Sequence, residues 1–250
     1  MAEILRQRFD LEVSFGKPAV IYKETPSGNG VGIDEYTMPK PCWAVLKFRI
    51  EPGEPGSGII YKSEVSPNKI PYRYQNHVEI AVPGALRQGL KGWEVIDIRV
   101  TLIDGGYHEV HTHPLDFFVA TPMALMKGLE DSGTTLLEPV LSFYITAPED
   151  CAGKIIGEII NIRGTFDSPS IENGRFIIRG LFPAATSLEF PIRLASITSG
   201  KGIISTRFHS YQKCPEDIKA TKPFRGVNPL ERSKFILWAR NAFGRFGSEV

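Results

Sequence analysis

Between residues 141 and 211 the apolar pattern changes period four times, in an order that few folds accept. Residues 141–147 read as a strand. Residues 150–163 read as a helix, with Ile155, Ile156, Ile159 and Ile160 on one face. Residues 165–171 and 175–182 read as two strands joined at Glu172-Asn173-Gly174. Asn-Gly is a strong hairpin signal, because both residues tolerate the positive φ that a tight two-residue turn needs. Residues 187–197 read as a second helix ended by Ser199-Gly200, with Pro191 near its start, and residues 203–211 as a closing strand. The order β-α-β-β-α-β is the split βαβ, ferredoxin-like arrangement. It sets a boundary near Glu138-Pro139.

The first half is less regular. Residues 9–15 (FDLEVSF) alternate apolar and polar, as a half-buried strand does. A second strand is expected from residue 19, a loose turn at 28–32, and a strand over 43–50. The Pro/Gly-rich stretch 51–58 then stops the chain, and 59–65 is expected to return as a strand. Residues 70–90 carry a helical pattern with Pro83-Gly84 as a kink or boundary. Residues 95–103 alternate as a strand. Thr121-Pro122 resembles a cap followed by proline at the first helical position, with the helix running to Leu129 and ending at Ser132-Gly133. A last helix is expected over 229–246, capped by Asn228 with Pro229 at its first position and Glu231 three after the cap. Phe235, Trp238, Ala239, Ala242, Phe243 and Phe246 fall on one broad face of that helix. Lys234, Arg240, Asn241 and Arg245 lie mostly outside it.

Composition narrows the function classes. The 250 residues are 42% hydrophobic and 23% charged with a net charge of +1, which excludes an acidic solvating tail and a polybasic one. No apolar run approaches the length of a membrane span, and the first residues have no apolar core of a secretion signal. Cys42, Cys151 and Cys214 are odd in number and scattered, which fits a reducing compartment and excludes a disulfide framework or a CxxC metal site.

Three of the five histidines fall within Tyr107-His-Glu-Val-His-Thr-His113. Four readings compete for them. His111 and His113 could share a strand face and bind a metal with His108, completed by Asp116 or His77. One histidine beside Glu109 could act as a general acid or base. The stretch could be a solvated loop without a role. It could also be a loop tip whose rings and donors meet RNA. No phosphate loop and no GxSxG elbow occurs, so catalysis has little support elsewhere.

Several segments together resemble the C-terminal domains of translational GTPases of the elongation factor G type. Val13-Ser-Phe-Gly-Lys-Pro-Ala-Val-Ile-Tyr-Lys-Glu-Thr25 resembles the start of the family's fourth domain, and Glu54-Pro-Gly-Ser-Gly58 a turn within it. Asp97-Ile-Arg-Val-Thr-Leu-Ile-Asp-Gly-Gly-Tyr-His-Glu-Val110 resembles its strand and tip loop. Leu136-Leu-Glu-Pro139 resembles the junction to the fifth domain, and Ile156-Gly-Glu158 with Arg163-Gly164 that domain's first helix. Pro41-Cys-Trp-Ala44, Gly92-Trp93, His113-Pro-Leu-Asp-Phe117, Gly133-Thr-Thr-Leu-Leu-Glu-Pro139 and Leu141-Ser-Phe143 are more similar to the tetracycline-resistance ribosomal protection proteins, a branch of the same family. The tip itself is closer to the elongation factors.

The resemblance implies an α+β chain: a ribosomal protein S5 domain 2-like unit, then a ferredoxin-like βαββαβ unit, then a C-terminal helix. The division it implies is 1–17 as the end of a third domain, 18–138 as domain IV, 139–213 as domain V and 214–250 as tail and helix. It implies a cytoplasmic, ribosome-binding chain, with domain IV reaching the 16S rRNA decoding region and domain V lying against the large subunit. Gly105, Gly106, Tyr107, His108 and Glu109 are expected to form the exposed tip, the two glycines adopting positive φ close to RNA. Arg163, Lys201, Arg207, Lys234, Arg240 and Arg245 are expected to meet ribosomal RNA. No cofactor or metal is expected here; GTP and Mg would belong to a full-length GTPase parent. The competing readings are a small metal-dependent hydrolase built on His108, His111 and His113, and an α+β scaffold with a protein partner only.

Overall fold

The computed structural model describes residues 2–14, 16, 18–37 and 42–240, and the fold is mixed α+β. The chain divides into two compact units, Tyr22–Glu138 with Ser210–Val250, and Met1–Ile21 with Pro139–His209.

The first of these units is built on a four-stranded sheet of order β2-β3-β6-β4, from β2 (Gly30–Tyr36), β3 (Ala44–Pro52), β4 (Ile59–Ser63) and β6 (Ile98–Tyr107). Alternation along β3 buries Ala44, Leu46, Phe48 and Ile50 on one face. Helices α2 (Tyr72–Ala85) and α3 (Pro114–Ser132) close that face, and their Val78, Val82, Phe117, Met123 and Leu129 join one core with the strands. Helix α3 lies unusually close to β2. A Cβ on Gly32 would stand 1.9 Å from the Ala124 carbonyl oxygen, so only glycine admits this approach. A smaller ladder joins β1 (Lys23–Pro26) in parallel to β5 (Glu94–Val95) and antiparallel to the start of β7 (Thr134–Pro148).

The second unit shows the βαββαβ order. The remainder of β7 is followed by a 3-10 turn (Glu149–Cys151), α4 (Ala152–Asn161), β8 (Thr165–Phe166), β9 (Ser170–Glu172), β10 (Arg175–Pro183), α5 (Ala184–Ser187), α6 (Phe190–Ile197) and β11 (Ile203–Lys213). Strand β10 pairs antiparallel with β7 on one side and with β8 and β9 on the other, while β11 pairs with β7. Asn173 and Gly174 both take positive φ, 51° and 74°, which makes the hairpin turn that their pairing signals. Phe143 stacks on Phe182 at 4.8 Å over Ile155, Ile159 and Leu194.

Several expectations are corrected. Residues 9–14 form no strand; α1 (Ala2–Phe9) ends there, favoured by its Glu, Leu, Arg and Gln residues and by a Gln7–Glu3 hydrogen bond of 2.9 Å. The strand expected from residue 19 begins at Lys23, and the turn expected at 28–32 gives way to β2 from Gly30. Strand β4 does not return beside β3 but pairs in parallel with β6. The strand expected over 95–103 is two: Asp97 at φ 52° breaks it, sending β5 and β6 into different ladders.

Thr121-Pro122 lies inside α3, where the Thr121 hydroxyl donates to the Phe117 carbonyl at 2.7 Å. Ile160 is exposed, one residue past the face that Ile155 and Ile159 bury. The strand over 165–171 is interrupted at 167–169, where Pro169 has no N–H for the ladder. The second helix is split into α5 and α6, with Pro191 in the first turn of α6. The last helix, α7 (Arg232–Ala239), starts later than expected. Asn228 makes a local turn instead, its side chain accepting from the Leu230 amide at 2.9 Å. Trp238 stays half exposed and Ile236 is buried in its place, while Ala242, Phe243 and Phe246 lie outside the described residues.

Candidate functional site

The tip is shorter than expected. Gly105, Gly106 and Tyr107 belong to β6, paired with Leu46, Val45 and Ala44. Neither glycine has positive φ. They are small because of what they pack on. A Cβ at Gly105 would stand 2.4 Å from the Val45 carbonyl oxygen and 2.8 Å from Ile70 Cδ1, and one at Gly106 would stand 3.3 Å from the Trp43 ring. Gly105→Ala is therefore expected to cost about 1–3 kcal/mol of stability, as overpacking does, read as a lower denaturation midpoint at unchanged m-value.

The exposed turn is residues 108–111, between β6 and α3. It braces itself. His108 Nδ1 accepts from the Val110 and His111 amides at 3.2 and 3.3 Å, so the neutral ring carries its proton on Nε2. The His108 amide donates to Thr112 Oγ1 at 2.7 Å, and the Thr112 amide returns a bond to the His108 carbonyl at 3.0 Å. The His108 and His111 rings stack at 4.4 Å. Glu109 and Val110 are at the exposed apex.

Behind this turn stands Asp116, fully buried. Its Oδ2 accepts from the His113 amide at 2.8 Å and the Trp43 amide at 3.0 Å. The Trp43 carbonyl in turn accepts from Thr112 Oγ1 at 2.6 Å. Asp116 thus holds the start of α3 and the residue before β3, and through Trp43 and Thr112 it reaches the His108 turn. Its other oxygen pairs with Arg240 Nη2 at 2.5 Å. The Arg240 guanidinium also lies 5.5 Å from the Tyr36 ring centroid, and burial raises that phenol well above the usual range. Helix α7 is tied at its other end too: Arg232 and Lys127 both reach Asp34 Oδ1, at 3.2 and 2.7 Å, and Phe235 and Ile236 enter the core.

Arg240 is therefore held inward by an ion pair rather than presented to solvent. Lys234 is exposed beside Glu231 on α7. Arg245 lies outside the described residues. In the other unit, Arg163 follows α4 at φ 62°, Lys201 sits in the turn before β11, and Arg207 is on β11; all three are exposed, on separate elements. The histidines do not form a metal centre. Among the described residues no three His, Cys, Asp or Glu side chains converge as ligands. His113 Nδ1 turns to the His111 carbonyl at 3.1 Å, and His77 packs between Tyr74 and Phe118.

Sequence reasoning missed the roles of Trp43, Thr112 and Asp116. A signal existed: His113-Pro-Leu-Asp116 places proline at the first helical position and a carboxylate two residues later, where it can reach back to the cap amide.

Two family models match this architecture. Elongation factor G, domain IV matches residues 18–133, and Elongation factor G C-terminus matches residues 135–222. These are translation factor domains. The chain belongs to the elongation factor G family and carries its domain IV and its C-terminal domain. The tetracycline resistance protein TetP of Clostridium perfringens is 34% identical over 243 residues, covering 97% of this chain and 37% of that protein. The crystal structure of a Thermus thermophilus protein superposes with a TM-score of 0.75 at 26% identity, over 86% of this chain and 33% of that one. The chain spans about a third of the length of these relatives. Among the described residues no helix is long and apolar enough to cross a membrane.

Proposed function

We propose that this chain is a ribosome-docking module, in which the His108–His111 turn is the part that meets RNA of the small-subunit decoding region. The observation that carries this is the turn itself: a self-braced protrusion with two stacked imidazoles, in a unit that matches elongation factor G domain IV. Stacked rings on an exposed turn, with a ring N–H left to donate, suit unpaired bases and phosphates, and the turn offers no nucleophile paired with a base. The ferredoxin-like unit would lie against the large subunit, with Arg163, Lys201 and Arg207 as phosphate contacts. Lys234 would add one from α7. GTP and Mg would act in a longer parent; the chain lacks a phosphate loop and is expected neither to bind nor to hydrolyse GTP.

Sedimentation with purified ribosomes tests the reading. His108→Ala removes both the ring and the acceptor of two amides, and is expected to cost about 1 kcal/mol as a lost cap does. It should weaken ribosome binding as well. His108→Asn keeps an acceptor near the same place and should restore stability without restoring binding. Full ribosome binding by both variants would leave the turn without this role.

A further inference from the structure

The ferredoxin-like unit packs α4 and α6 on one face of its sheet, through Phe143, Ile145, Phe176, Ile178 and Phe182. The residues between them in sequence project from the other face. Register sets Tyr144 opposite Arg179, Thr146 opposite Ile177 and Ser142 opposite Leu181, all on the two central strands β7 and β10. Tyr144 is 38% exposed and Arg179 is exposed beside it, with its guanidinium carbon 5.1 Å from the Tyr144 ring centroid. Nothing among the described residues accepts a hydrogen bond from the Arg179 side chain or forms an ion pair with it. Arg175 extends the same row and donates to the Lys201 carbonyl at 3.5 Å. This face of the two central strands carries two cations and no carboxylate. Two acids border it on the next strand: Glu172 on β9 is opposite Arg175, and Asp167, just past β8, is opposite Arg179, its amide donating to the Arg179 carbonyl at 3.0 Å.

A planar cation on an aromatic ring, left with unspent donors, suits one chemistry well. An unpaired base can stack on the ring or the guanidinium plane while the free N–H groups take its edge or its phosphate. An acidic peptide would use the charge but not the stacking planes. In four-stranded βαββαβ sheets, aromatic side chains on the central strands are the positions from which bases are read.

We propose that this open sheet face binds unpaired RNA bases, with Tyr144 and Arg179 as its stacking pair. The proposal rests on the ribosome-docking reading only for the source of the RNA.

The test titrates the whole chain with a labelled twelve-nucleotide oligouridine and with a twelve-base-pair RNA duplex, at one fixed salt concentration. The oligouridine should bind more tightly than the duplex. Tyr144→Ala should weaken that binding about fivefold or more, Tyr144→Phe should leave it unchanged, and Arg179→Lys should weaken it despite keeping the charge. Thermal unfolding of Tyr144→Phe and Arg179→Lys controls for folding. Oligouridine binding that is absent, no tighter than duplex binding, or indifferent to Tyr144→Ala and Arg179→Lys overturns the proposal. Ribosome sedimentation of wild type and His108→Ala is read separately. Ribosome binding that persists alongside such a result sinks the sheet-face assignment alone. Oligouridine binding through Tyr144 without any ribosome binding sinks the docking module and leaves the sheet face standing.

Discussion

Replacing Glu24 with alanine is expected to lower stability by about 3–5 kcal/mol, or roughly 6–20 °C in the melting of its unit. Glu24 is fully buried on β1. Its Oε1 accepts from the Lys91 and Trp93 amides at 2.9 and 3.0 Å, and its Oε2 from the Thr134 hydroxyl at 2.7 Å. Removing the carboxylate leaves two partly buried amides without their acceptor and the Thr134 hydroxyl, which also accepts from the Lys91 ammonium, without its own. The same loop holds the C-terminal tail. The Lys222 amide donates to the Lys91 carbonyl at 2.8 Å, and Trp93 Nε1 to the Ala220 carbonyl at 3.0 Å. Glu24→Ala should therefore also speed hydrogen exchange at Lys222 and expose Trp93, shifting its fluorescence to the red. Glu24→Gln keeps the Oε1 acceptor and should cost less than half as much. A Glu24→Ala protein with wild-type melting would show that the loop and tail hold without this pin.

What could be read from the sequence followed how local the deciding interactions are. The ferredoxin-like unit was legible because its hairpin is fixed by two adjacent residues, Asn173 and Gly174, and because its strands and helices each carry a clean period. Its details failed where one residue overrode a pattern, as at Pro169, or where a face was narrower than the apolar run, as at Ile160. In the other unit the pairing of β4 with β6 depends on contacts about 40 residues apart. The 51–58 stop signals a reversal but not which strand lies beside the next one. Gly105-Gly106 pointed to a turn because glycine is ambiguous between positive φ and close packing. Val45, Ile70 and Trp43, all distant in sequence, decide for packing. The family resemblance directed attention to the loop after β6, yet the residues that shape it were hidden. Asp116 reads as an ordinary helix-start carboxylate until Trp43 and Arg240 are brought to it.

That convergence yields the other large effect. Asp116→Ala is expected to cost about 3–5 kcal/mol, since it leaves the Arg240 guanidinium without its partner and two amides without an acceptor. Arg240→Ala should cost nearly as much, because it leaves a fully buried carboxylate uncompensated. The two losses should not add: in an Asp116→Asn background the charge is gone, and removing Arg240 should cost little more. If Asp116 only fastens α7, the damage ends with faster hydrogen exchange in residues 232–239. If it also sets the turn through Trp43 and Thr112, both single variants should speed exchange at Val110, His111 and Thr112 beyond what the global loss of stability explains. They should then weaken ribosome binding although neither residue faces the solvent of the turn. Arg232→Ala provides the contrast. It loosens α7 at the Asp34 end, far along the helix from Asp116, and should leave exchange in the turn unchanged. Turn exchange that responds equally to Arg232→Ala and Arg240→Ala would mean that α7 packing, and not the Asp116 bonds, governs the tip.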